Sequence, residues 1–237
     1  MPVPLIGSLV EDVLHRIFLH LRHADKEWLS YWVSVGALVS NVSSQWRAIA
    51  SRDSSLWKDV FIGPASSPAM TRIVLNNAVT HNLRVFIFVP ENMGGLLFKG
   101  FSTPFSTSMQ LTVAQSTRWE SLSVVSPFLP FLRISKMLSH TPLTQLHTME
   151  LISGLSADSF LPYGASISLV VKLLTENLRS LELVDMDGEA VRLLVFSLRG
   201  RRFGGLRTLK IVSTDLKGLE ECRSDIKNIF PGIISFA

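Results

Sequence analysis

Leu178-Arg-Ser-Leu181-Glu-Leu183 and Leu206-Arg-Thr-Leu209-Lys-Ile211 share one spelling, apolar-x-x-apolar-x-apolar. Three earlier stretches repeat it: Leu83-Arg-Val-Phe86-Ile-Phe88, Trp119-Glu-Ser-Leu122-Ser-Val124 and Leu146-His-Thr-Met149-Glu-Leu151. Their starts lie 36, 27, 32 and 28 residues apart. In an extended strand the fourth and sixth positions share one face and the fifth faces the other way. With 47% of residues hydrophobic, about a tenth of windows match such a hexamer by chance. The surrounding sequence therefore decides the reading.

Most copies follow an amphipathic, helix-like run: MTRIVLNNAVTH (70–81), LRISKMLSH (132–140), ISLVVKLLTEN (167–177) and EAVRLLVFSLRG (189–200). The run before Trp119, MQLTVAQST, fits a helix and a strand equally. One strand and one helix in about 28 residues resembles the leucine-rich repeat. In that architecture units stack side by side, with strands forming a parallel sheet on the concave face. The resemblance is to an irregular form. The ninth position, usually asparagine, holds Glu91, Pro127, Gly154, Met186 and Thr214. Phe230–Ala237 repeats the opening of the pattern with Ile233 and Phe236 as anchors, and no polar cap follows. The expectation is a fragment, a truncated gene product or a final strand lying exposed.

Ahead of the repeats, Ser8-Leu-Val-Glu11 reads as a capping box. The helix it opens carries Leu9, Val10, Val13, Leu14, Ile17, Phe18 and Leu21 at steps of three and four, one continuous apolar stripe. Residues 26–50 also have helical spacing, with a break expected near Gly36 or at 40–44. Asp25 can cap this second segment. So many tryptophans exceed what two or three short helices cover alone. GPASSPA at 63–69 reads as a linker.

Leu9-Val-Glu-Asp-Val-Leu14-His-Arg-Ile17-Phe18-Leu-His-Leu21 resembles the opening of an F-box, Leu-Pro-x-Glu-(Val/Leu)-Leu-x-x-Ile-Phe. Val42-Ser-Ser-Gln-Trp46-Arg47-Ala-Ile-Ala50 resembles the family's Val-Cys-x-x-Trp-Arg-x-(Leu/Ile)-Ala, and Leu56-Trp57 matches the Leu-Trp that follows. The spacing is similar to F-box-like proteins of mushroom-forming fungi. Val10 replaces the usual proline and Ser43 the usual cysteine. The resemblance covers roughly residues 5–62. It implies binding rather than catalysis: docking on a Skp-type adaptor, and through it a cullin-RING ubiquitin ligase. The implied adaptor contacts are Leu9, Val10, Val13, Leu14, Ile17, Phe18, Val42 and Trp46, anchors suited to a helix-in-groove interface. The same residues also read as ordinary core.

The expected fold class is thus α/β. A short N-terminal helical F-box-like module (1–62) precedes an irregular leucine-rich-repeat-like α/β solenoid with a parallel sheet (70–237). Target capture would fall to residues between the core positions of each strand. The second positions are Arg84, Glu120, His147, Arg179 and Arg207; the fifth are Ile87, Ser123, Glu150, Glu182 and Lys210. A merely solvated sheet face fits each of these residues as well.

Other chemistry finds less support. A single cysteine, Cys222, excludes an internal disulfide and a cysteine-based zinc site. His20 and His23 lack a third ligand, Asp185–Glu189 lacks the full calcium-loop spacing, and Asn92–Gly100 matches no phosphate loop. No Gly-x-Ser-x-Gly elbow occurs. No cofactor is expected. The longest apolar runs fall far short of a membrane span. The first twelve residues turn acidic without a basic, then apolar, leader. A cytoplasmic or nuclear protein is expected. Net charge is +4, and residues 199–237 carry eight bases against four acids, concentrated at RGRR (199–202). A basic nucleic-acid-binding protein therefore stays open, though no stacking aromatics accompany the cluster. So does a scaffolding repeat protein whose F-box remnant only caps the repeats.

Overall fold

In the computed structural model, the structure describes residues 10–23, 33–89, 102–126, 134, 136–138, 140–152, 177–184, 192, 196–197, 205–212, 216–229 and 235–236. Among the described residues, seven strands form one parallel sheet in strict sequence order. They are β1 (Asp59–Ile62), β2 (Leu83–Phe88), β3 (Trp119–Val125), β4 (Thr148–Ile152), β5 (Ser180–Val184), β6 (Thr208–Val212) and the two-residue β7 (Ser235–Phe236). Parallel neighbours require a crossover after each strand. Two described helices lie in these crossovers, α4 (Pro68–Asn77) after β1 and α5 (Thr103–Val113) after β2. A third, α6 (Leu216–Ile229), follows β6.

The register explains the repeated hexamer. Leu122, Met149, Leu181 and Leu209 stand in one row across four strands, and Val124, Leu151, Leu183 and Ile211 in the next alternate row. All eight are buried. The first position adds Leu83, Trp119, Leu146 and Leu178, each essentially inaccessible. Stacked rows of branched and aromatic side chains make this core continuous from unit to unit.

Two corrections follow from the same register. First, the sheet begins earlier than the 70–237 region: Trp57-Lys-Asp-Val60-Phe-Ile62 is another copy of the pattern. Val60 pairs with Val85 and Ile62 with Ile87, and all four are buried. Second, β2 runs one residue short of β3. Leu83 pairs with Trp119 but Arg84 with Ser121, an irregularity that leaves Glu120 as the extra residue. The inward positions of β2 are therefore Val85 and Ile87, not Phe86 and Phe88. Phe86 turns to the other face and stacks on Phe61 at 4.8 Å. Five of the six residues of β2 are apolar, so alternation alone could not choose between the two faces.

The run before Trp119 resolves as helix α5 followed by a 3₁₀ turn (Ser116–Arg118). Ser102 caps α5 by accepting from the Phe105 amide, and proline stands in its first turn. Trp119 then donates its indole N–H to the Thr112 carbonyl at 3.1 Å, joining helix to strand.

The N-terminal helices are α1 (Glu11–His23), α2 (Val35–Ser40) and α3 (Ser44–Arg52), with a 3₁₀ turn at Ser54–Trp57. The expected break falls at 41–43. There Ser43 accepts from the Trp46 amide at 3.2 Å and caps α3, so the residue that replaces the usual cysteine starts the helix. Gly36 lies against Trp57: a Cβ there would come within 2.5 Å of the indole ring. Trp57 in turn donates to the Ala50 carbonyl at 2.8 Å. Leu56 and Trp57 are both buried, and they join α2 and α3 to the start of β1. Ser8, Asp25, Trp28 and Trp32 lie outside the described residues.

Candidate functional site

The apolar stripe of α1 divides into two. Leu14 and Phe18 are wholly buried, while Val10, Val13, Ile17 and Leu21 are exposed by 67%, 43%, 38% and 42%. On a helical wheel the exposed four follow one another at steps of three and four, flanking the buried pair. Two polar clamps orient the helix. His15 Nε2 meets Asp53 Oδ2 at 2.7 Å, and Arg52 binds Glu11. Asp53 also accepts from the Ser55 amide at 2.9 Å. Burial pushes the Asp53 carboxyl up, but the hydrogen bonds from His15 and Ser55 outweigh it and hold its pKa below the ordinary aspartate value.

Of the eight expected adaptor contacts, Val10, Val13, Ile17 and Val42 are exposed. Leu9 lies outside the described residues. Trp46 is half-buried, its ring 4.8 Å from Phe18 and tilted by 55°. Leu14 and Phe18 are corrected. They fill the space between the N-terminal helices and cannot touch a partner without opening them. Two exposed residues that the F-box pattern did not single out, Leu21 and Leu38, add to the accessible apolar surface.

The second surface is the outward face of the sheet. Ile87 is corrected here: the register slip of β2 places it in the core, fully buried. The other fifth-position residues stay in one row, Ser123, Glu150, Glu182 and Lys210. Ser123 is covered by Glu150, to which its hydroxyl donates. Lys210 Nζ donates to Glu182 at 2.6 Å. Arg84 grips the buried Asp59 through both guanidinium arms, Nη2 to Oδ2 at 2.6 Å. Lys58 reaches Glu120 at 3.3 Å. His147 is half-buried, and Arg179 and Arg207 are exposed. One hydroxyl row, Ser121, Thr148, Ser180 and Thr208, runs beside these residues.

Asp59 and Lys58 escape the sequence reading, because the F-box resemblance extends over β1. The hexamer spelling from Trp57 to Ile62 was the signal that marks them. Among the described residues no group of three or more His, Cys, Asp or Glu could hold a metal ion. No described helix is long and apolar enough to cross a membrane. The basic run at 199–202, residues 185–189 and the 92–100 stretch lie outside the described residues. No family model, no curated protein and no solved structure matches this chain.

Proposed function

We propose that the chain is a substrate-recognition adaptor of a Skp-cullin-F-box type ubiquitin ligase. The helical unit, resembling an F-box, binds a Skp-type adaptor. The strand array, read as an irregular leucine-rich-repeat solenoid, captures a target protein. One observation carries the reading: α1 keeps Val10, Val13, Ile17 and Leu21 exposed while burying Leu14 and Phe18. A helix that served only the internal core would gain by placing polar residues on the exposed flank. Four aliphatic anchors at helical spacing suit a partner's groove. Bringing a target close to the ligase's charged ubiquitin carrier is then a matter of effective concentration.

Co-purification of the full chain with a Skp-type adaptor tests this. Wild type should bind, and Ile17→Asp should weaken binding about thirtyfold or more, a hot-spot effect, with the thermal midpoint unchanged. Absence of binding by wild type under gentle conditions would sink the ligase reading. The second reading is a scaffolding repeat protein in which the helices only cap the sheet. Burial of Leu14, Phe18, Leu56 and Trp57 favours it, and it predicts no adaptor binding by wild type.

A further inference from the structure

The outward face of the sheet treats its cations in two ways. Three are matched: Arg84 holds Asp59, Lys58 reaches Glu120, and Lys210 donates to Glu182. At β4–β6 the second-position residues are His147, Arg179 and Arg207. Backbone bonds fix them on successive strands. The Arg179 amide donates to the His147 carbonyl at 2.8 Å, and the Arg207 amide to the Arg179 carbonyl at 2.7 Å. Neighbouring strands are about 4.8 Å apart, so the two arginines stand side by side. Both are exposed, and among the described residues neither guanidinium has a hydrogen-bonding or acidic partner. Like charges placed across neighbouring strands repel. An anion bridging them removes that repulsion. Thr148, Ser180 and Thr208, in register immediately after them, add hydroxyl donors that are likewise unpartnered among the described residues.

We propose that Arg179 and Arg207, with His147 and the three hydroxyls, form the docking site for an acidic peptide segment of a target protein. Two planar guanidinium forks suit carboxylates, which they bind in a bidentate manner. The rows further along the same strands argue against a continuous polyanion such as nucleic acid. Glu150 and Glu182 face each other across β4 and β5, and half-buried Ile152, Val184 and Val212 follow. A phosphate backbone laid along the strands would meet the glutamate pair. A short extended peptide with Asp or Glu at one end and an apolar side chain about 16 Å away keeps its charge off that pair and matches the chemistry at both ends. This inference deepens the target-capture half of the proposed function and is independent of its adaptor half.

The test selects peptides from a random twelve-residue phage library on the immobilised full chain, with no adaptor present. Acidic residues should be enriched at one end of the selected sequences. A synthetic peptide from the selection should lose about tenfold or more in affinity against Arg179→Glu or Arg207→Glu. Exchange of its Asp and Glu for Asn and Gln should cost as much. Circular dichroism verifies the fold, and Arg179→Gln with Arg207→Gln replaces the reversals if either of those unfolds. The proposal fails if selection shows no acidic preference, or if the peptide binds the double variant as tightly as wild type. It also fails if a twelve-nucleotide single strand displaces the peptide at lower concentration than unlabelled peptide does. Loss of adaptor binding leaves this result unchanged, so the two readings fail separately.

Discussion

The helical unit and the strand array dispose of their apolar side chains differently. In β3–β6 every fourth and sixth position points inward and is buried, and the outward rows are polar apart from one half-buried apolar row at the strand ends. Along α1 and Val10 just before it the apolar stripe is wider than the internal contact, so four of its six described members face out. A strand in a repeat array offers one face to the core, and its alternation matches that demand residue by residue. A helix offers a stripe, and the width of the stripe is free to exceed what its neighbours cover. The excess on α1 is surface that the described residues leave uncovered, whereas the strand array shows no comparable surplus among the described residues.

The largest effects should come from inward residues in both regions. Phe18→Ala removes a fully buried ring that packs on Trp46 and should cost about 3–5 kcal/mol. Leu181→Ala in the centre of the sheet should cost about 2–5 kcal/mol. Urea unfolding with an unchanged slope measures both. If Phe18→Ala cost less than about 1 kcal/mol, Phe18 would not be core and the division of the stripe would be wrong. Next in size is Gly36→Ala. The added methyl meets the Trp57 ring, which its bond to the Ala50 carbonyl holds in place. A shift of the indole should cost about 1–3 kcal/mol, although alanine is the better helix former. A gain in stability would show that Trp57 moves freely.

Much of the array was legible in the sequence. The hexamers located β3, β4, β5 and β6, since one polar residue separates the two inward anchors in each. In β2 the signal failed, because Arg84 is the single polar residue and Phe86 and Ile87 are equally apolar. Only the irregularity opposite Glu120 decides which of them turns in. In β1 the spelling is present, but the F-box resemblance assigns Leu56 and Trp57 to the helices. They belong to both, closing the helical unit and opening the sheet. For α1 the periodicity marked the stripe but not its division. Leu14 and Ile17 have the same spacing signal, and which one is covered depends on where α2 and α3 pack.

A smaller effect concerns pH. The folded pKa of Asp53 lies below its ordinary value, held there by His15 and Ser55 against burial. A depressed carboxyl pKa contributes stability that is complete above the unfolded value of about 3.9 and lost as pH falls through the folded value. Asp53→Asn keeps a side-chain oxygen for the Ser55 amide but removes the carboxylate that His15 hydrogen-bonds. The variant should be less stable than wild type by about 1 kcal/mol or less at neutral pH. That difference should shrink on acidification below about pH 4. Chemical unfolding between about pH 2.5 and about pH 7, which brackets the aspartate reference value of about 3.9, reads the difference directly. A gap that stayed constant with pH would mean that the clamp is not electrostatic.

The smallest effect on stability bears most directly on the comparison. Ile17→Asp and Val13→Asp place a carboxylate on the exposed flank of α1. Each should change stability by no more than about 0.5 kcal/mol. An outward strand residue, Thr208→Ala, should behave alike. The two regions then differ only in what else the change does. On the sheet it should leave adaptor binding untouched, and on α1 it should weaken it about thirtyfold or more. A drop of 2 kcal/mol or more for Ile17→Asp, the order seen when a buried aliphatic side chain is lost, would mean that the chain itself covers this flank. The stripe would then be one undivided core, and the case for a partner on α1 would go with it.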